Sequence, residues 1–165
     1  MTETLIKIIR FAAESHGSQK YGSLPYIVHP IEVMLTGRKL FGEAWTENHD
    51  YVAILHDVKE DTSADTNEVF EIMRYDSFNS IDVLIAITIL TKDKDIPYDV
   101  YITSITYSSD MAIMVKYADL MVNSTGDKSH MSPERREKLN AKYSHSIEVI
   151  EDALKNRGIE YDANH

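Results

Sequence analysis

Apolar positions recur at helical spacing along most of this chain. Leu5, Ile8, Ile9, Ala12 and Ala13 share a face over residues 3–16, with Thr2 or Thr4 available as a cap, so the chain opens on an amphipathic helix. Gly17, Gly22 and Pro25 then break the pattern, and residues 16–29 are expected to form a loop whose polar groups have no regular ladder. Pro30 suits the first position of a second helix, which Ile31, Val33, Met34, Leu35 and Leu40 carry to Gly42 and which puts His29 at its start. A third helix is expected from about Glu47 to Glu60, and a short one around Asn67–Arg74. The stretch Ile81–Leu90 reads as a buried helix; its β-branched content keeps strand as the alternative, although no other segment supplies a partner strand. After a charged, proline-containing loop, Tyr98, Tyr101, Ile102 and Ile105 resume the helical period, and Ser109-Asp110 cap a helix over Met111–Asn123. Ser132-Pro133-Glu134 start the last helix, which runs to about Asn156 and stops at Gly158. With no repeat, low-complexity stretch or linker, six to eight helices predict an all-α bundle. One domain is expected over residues 1–165, its core within about 5–150 and residues 159–165 frayed.

Two of these helices interrupt the apolar pattern with chemistry. In Tyr51-Val-Ala-Ile-Leu-His-Asp-Val-Lys-Glu-Asp-Thr62, a turn of about 100° per residue gathers His56, Asp57, Glu60 and Asp61 on one arc, while Ile54, Leu55 and Val58 fill much of the remaining circumference. An imidazole and three carboxylates on an otherwise apolar helix are costly to bury unpaired, so water or a cation belongs there; a solvent-exposed acidic helix end is the plainer alternative. On the helix over 111–123, Lys116, Asp119 and Asn123 share a face among Met114, Val115, Ala118, Leu120 and Val122, so that polar face is expected to point inward.

Composition narrows the classes. Of 165 residues, 17 are Lys or Arg and 27 are Asp or Glu, giving a net charge of −10 with no long run of either sign. That balance argues against binding a nucleic-acid polymer, which needs a basic face, but leaves room for a small anion held by a metal and local lysines. The absence of cysteine removes disulfides and thiolate zinc sites and fits a reducing cytoplasm, so metal ligands must be His, Asp or Glu. No segment has signal-peptide or membrane-span character, and a cytoplasmic location is expected.

Taken together, His29, the His56-Asp57 pair and Asp119 fall on three separate helices. In that order they resemble the ligands of the HD superfamily of metal-dependent phosphohydrolases. More narrowly, five motifs resemble the (p)ppGpp hydrolase domain of the RelA/SpoT family and its small stand-alone relatives. They are His16-x-x-Gln19, Gly22-x-x-Pro25-Tyr26-Ile27-x-His29-Pro30, Leu55-His56-Asp57-x-x-Glu60-Asp61-Thr62, Leu90-Thr91-Lys92 and Lys116-x-Ala118-Asp119-x-x-x-Asn123. The resemblance implies that His29, His56, Asp57 and Asp119 hold one divalent ion, Mn²⁺, and that Glu60 and Asp61 position and deprotonate the attacking water. It further implies that Asn123 contacts the nucleotide, with Lys116 and Tyr143 in the pocket wall and Lys20 and Tyr21 standing where the family carries a longer basic loop. The activity implied is alarmone hydrolysis, releasing pyrophosphate from the 3′ position of a guanosine tetra- or pentaphosphate, with a small nucleotide as partner. The short loop Gln19-Lys20-Tyr21-Gly22 favours a second reading, the same chemistry on another nucleotide such as a dNTP or NADPH. A catalytically silent nucleotide-binding module is a third, disfavoured because no ligand and neither acid of the pair is missing.

Overall fold

The structure, a computed structural model, describes residues 1–73, 80–129 and 131–162. Helix α1 (Glu3–His16) starts where the Thr2 hydroxyl accepts the Leu5 amide at 3.3 Å, and it buries Leu5, Ile8 and Ala12. The loop that follows does contain a short ladder. Strands β1 (Lys20–Tyr21) and β2 (Leu24–Pro25) pair antiparallel, Lys20 opposite Pro25 and Tyr21 opposite Leu24. Gly22 at φ 61° makes the turn, a conformation that side chains resist.

Helix α2 (Val28–Phe41) begins two residues before Pro30, so His29 lies inside its first turn. Proline is tolerated there because first-turn amides have no intrahelical acceptor. Beyond a 3-10 turn at Gly42–Ala44, helix α3 covers Glu47–Leu55. The single helix expected to Glu60 is divided: His56 and Asp57 form a turn, and α4 resumes at Val58–Asp61. At φ −95° and ψ −11°, Asp57 sits toward the bridge region at the edge of helical space.

Then come α5 (Thr66–Met73), α6 (Ser80–Leu90) and α7 (Tyr98–Thr106). The end expected at Arg74 lies outside the described residues. Residues 80–90 are helical, as the missing partner strand predicted. Helix α8 (Asp110–Thr125) is capped by the Ser109 hydroxyl, and α9 (Pro133–Asn156) by that of Ser132. Among the described residues this makes nine α-helical segments, one more than the upper expectation because the 47–60 helix is split.

Helix α8 is the central member, packing against α2, α3, α6, α7 and α9. Its Ala112, Ile113, Val115, Ala118 and Leu120 are essentially inaccessible. Helices α2 and α3 are clamped by an ion pair between exposed Arg38 and buried Asp50: Asp50 accepts Arg38 Nε and Nη2 at 2.9 and 2.6 Å and Trp45 Nε1 at 2.8 Å. The Trp45 ring occupies the place of a side chain at Gly37, where an added Cβ would stand 2.1 Å from it. Residues 159–162 are not frayed. The Asp162 amide donates to the Leu40 carbonyl at 2.8 Å, and the Tyr161 ring packs on Phe41 and Tyr117, so apolar contact and a backbone bond pin the tail. Residues 163–165 lie outside the described set. No helix among the described residues is long and apolar enough to cross a membrane.

Candidate metal centre

Helices α2 and α8 and the α3–α4 turn converge on one point. His29 Nε2 lies 3.2 Å from Asp119 Oδ1 and 3.6 Å from Asp57 Oδ2, while His56 Nε2 lies 3.1 Å from Asp57 Oδ2 and 3.7 Å from Asp119 Oδ1. The α3–α4 break accounts for Asp57, because the turn aims it across the cleft at His29 as well as at its neighbour. His56 Nδ1 faces the Ala53 carbonyl at 2.7 Å, which fixes its proton on that side and leaves Nε2 for the centre. That buried Nε2 has no hydrogen-bond partner among the described residues.

The arrangement fits a divalent ion. Donor atoms of His29, His56 and Asp119 all lie within 4.8 Å of one another and all three residues are buried. The four spacings of 3.1 to 3.7 Å resemble those of ligands placed about 2.1 Å from a common ion. Mixed nitrogen and oxygen donors suit several first-row ions and select none of them.

The electrostatics show why something positive belongs here. Burial alone would push the Asp119 carboxyl up, but Lys116 and the two imidazoles outweigh it and hold it well below the carboxylate range. Asp57 behaves likewise: burial opposes His56, and the result is a pKa near about 2. Burial would depress the His56 imidazole, yet Asp57 and Asp119 hold it well above its ordinary value. Both carboxylates are therefore held ionised at the cluster, the state in which a carboxylate can bind a metal ion.

The acidic pair stands beside this cluster and is anchored from outside it. Glu60 Oε2 accepts the Lys92 backbone amide at 2.8 Å. Asp61 Oδ2 receives the Tyr26 hydroxyl at 3.3 Å, and its carbonyl receives Gln19 Nε2 at 2.6 Å. Tyr26 is a residue that sequence reasoning quoted in a motif but gave no role. Its hydroxyl also donates to Asp57 Oδ2 at 2.7 Å, so one phenol bridges the carboxylates of Asp57 and Asp61. Its ring lies 4.3 Å from that of His16.

A cleft of about 310 Å³ opens over the cluster, and Glu60 lines it. The other substrate candidates divide between this cleft and a neighbouring lobe of about 870 Å³. Lys116 and Asn123 line the inner cleft and both bond Asp119, at 2.9 and 2.6 Å, confirming the inward face. Tyr21, Asn123 and Tyr143 border both spaces. Lys20 borders the larger lobe alone, apart from the cluster. Lys142, Tyr98 and Tyr101 also line the cleft and were not foreseen. The two tyrosines have the spacing of core residues, and Lys142 lies in a helix rich in charge, so neither pattern distinguishes a site from ordinary packing or solvation.

No protein-family model matches the chain, and no curated protein matches it. Among solved structures it is similar to a metazoan ortholog of SpoT, a protein described as hydrolyzing ppGpp and playing a role in starvation responses. The likeness has a TM-score of 0.66 at 22% identity and covers 96% of this chain and 98% of that chain. Identity at that level carries the fold alone: the chain shares the helical architecture of that structure.

Proposed function

We propose that the chain is a metal-dependent nucleotide phosphohydrolase acting on guanosine 3′,5′-bis(diphosphate) at its 3′ ester. The observation that carries this reading is the convergence of His29, His56, Asp57 and Asp119, at 3.1 to 3.7 Å, in a cleft that Glu60 also lines. The similarity in fold to a ppGpp-hydrolysing protein supports the choice of nucleotide.

His29, His56, Asp57 and Asp119 would hold a divalent ion, Mn²⁺ in this proposal, which would acidify a water and offset phosphate charge. Glu60 and Asp61 orient the attacking water and accept its proton, each carboxylate fixed by the donor it already holds. The water oxygen bonds to the 3′ phosphorus, the P–O3′ bond breaks, O3′ takes a proton, and pyrophosphate leaves. Lys116 offsets charge on the cleft floor, and Asn123 and Tyr143, at the boundary of the two spaces, direct the nucleoside toward the larger lobe. Lys20 and Tyr21 act on that nucleoside part. A cysteine-free chain working on a soluble nucleotide belongs in the cytoplasm.

A second reading, the same chemistry on a dNTP or NADPH, is favoured by one observation: Lys20, the basic residue of the short loop, borders the large lobe alone. One panel tests both. Mn²⁺-loaded protein is offered ppGpp, pppGpp, NADPH, the four dNTPs and GTP, and phosphate and pyrophosphate are measured. Pyrophosphate from ppGpp and pppGpp is the expected result; turnover confined to another member of the panel replaces the alarmone with that nucleotide.

A further inference from the structure

Three lysines line the inner cleft, and two of them are already committed. Lys116 pairs with Asp119 at 2.9 Å. The Lys92 ammonium donates to the carbonyls of Asp93 and Ile96, at 2.6 and 2.8 Å, and so ties its own loop. Lys142 is different. Its ammonium sits 3.5 Å above the centre of the Tyr98 ring and 5.9 Å from that of Tyr143, with no acceptor for its N–H groups among the described residues. An aromatic face steers a cation without consuming its hydrogen bonds. The result is an oriented ammonium with free donors, in the same cleft as the metal cluster.

We propose that Lys142, seated on Tyr98, is an anion subsite that takes the outer phosphoryl group of a diphosphate whose inner phosphoryl lies at the His29–His56–Asp119 cluster. Naming the ligand a diphosphate rests on the hydrolysis proposed above, whereas the existence of an anion site at Lys142 does not. The wall is suited to this. Asp57, Glu60 and Asp119 face the same space, and a multiply charged anion needs a cation beyond the metal to enter it. Burial and the nearby Lys116 pull the Lys142 pKa down, a cost that an incoming anion relieves. The subsite distinguishes a diphosphoryl from a monophosphoryl group, because a single phosphoryl at the cluster leaves Lys142 untouched.

The test is binding, independent of turnover. Full-length protein, Lys142→Ala and Lys142→Arg are titrated calorimetrically with inorganic pyrophosphate and with orthophosphate at a buffered free Mn²⁺ concentration, and bound metal is assayed afterwards. The parent protein should prefer pyrophosphate. Lys142→Ala should lose about tenfold in pyrophosphate affinity, change orthophosphate affinity less than about twofold and keep its metal, while Lys142→Arg retains most of the preference. Pyrophosphate affinity unchanged in Lys142→Ala, or an equal loss for both anions, overturns the subsite. If the preference collapses as expected but no nucleotide of the panel is hydrolysed, the subsite stands and the hydrolase reading falls.

Discussion

At the scale of single residues, the proposed reaction separates groups that would hold an ion from groups that would move a proton. Asp57 and His56 belong to the first set, so Asp57→Ala should abolish bound metal and turnover together. Glu60 accepts a backbone amide and has no place among the four converging donors. Glu60→Gln should therefore keep the metal while kcat falls on the order of 10²-fold, the usual scale for a proton-transfer group. Metal analysis beside steady-state kinetics checks both, and a fully active Asp57→Ala enzyme would sink the site. Tyr26 serves both sets through bonds of 2.7 and 3.3 Å to Asp57 and Asp61. Removing its hydroxyl in Tyr26→Phe should lower kcat about tenfold and weaken metal binding severalfold with little change in KM, since a hydrogen bond to a charged group contributes about 1.5–3 kcal/mol. The four converging residues were legible in the sequence because His, His-Asp and Asp stood out from apolar helices. Tyr26 and Lys142 were not, because their roles depend on which partner lies opposite across the fold, and nothing local encodes that.

At the scale of elements, caps and breakers placed most helix ends. Thr2, Ser109 and Ser132 cap as expected, since a hydroxyl before an apolar run satisfies amides the helix cannot. The division of the 47–60 helix was hidden. His56 and Asp57 carry no breaking residue type, so propensity gave no sign that Asp57 would sit at the edge of helical space. The hairpin at residues 20–25 was hidden too, because two-residue strands lack a readable alternation. Helix α3 has an unusual start: His49 takes the place of the acid or amide in a capping box, its Nδ1 accepting the Thr46 amide at 3.0 Å. Burial pushes that imidazole down to about 4 against the pull of Asp50 and Asp110. The unfolded chain binds this proton near pH 6.5 and the folded one only near about 4, so stability from His49 is complete above the higher value and declines as pH falls between them. From pH 7 to pH 5 the loss is about 2 kcal/mol. His49→Gln keeps the cap without the titration, so urea melts of the variant should lose about 2 kcal/mol less over that interval than those of the parent; equal losses would remove His49 as the cause.

At the scale of the whole molecule, the core exists before the ion but is built around a charge problem. Helices α2, α3 and α8 are locked by Leu40, Val52, Val115 and their neighbours, by the Arg38–Asp50 clamp, and by the tail packed through Tyr161. Each helix brings buried polar groups toward a centre where Asp57 and Asp119 face each other's imidazoles. Without an ion, a proton on His56 offsets part of that charge; a bound divalent ion would offset more of it. Ion binding is therefore folding free energy, and at about 100 times its dissociation constant it contributes about 2.7 kcal/mol. For a chain of this size that corresponds to roughly 5–10 °C in Tm. Scanning calorimetry of chelated and Mn²⁺-loaded protein should show that rise, and it should grow from pH 6 to pH 8 as protons compete less well for His56, whose imidazole is held well above its ordinary value. His56→Ala removes one donor and leaves the apolar frame, so its chelated form should still melt cooperatively while the metal-dependent shift disappears. A shift that survives in His56→Ala would put the ion elsewhere on the molecule, and a chelated parent that does not fold would mean that the apolar frame depends on the ion.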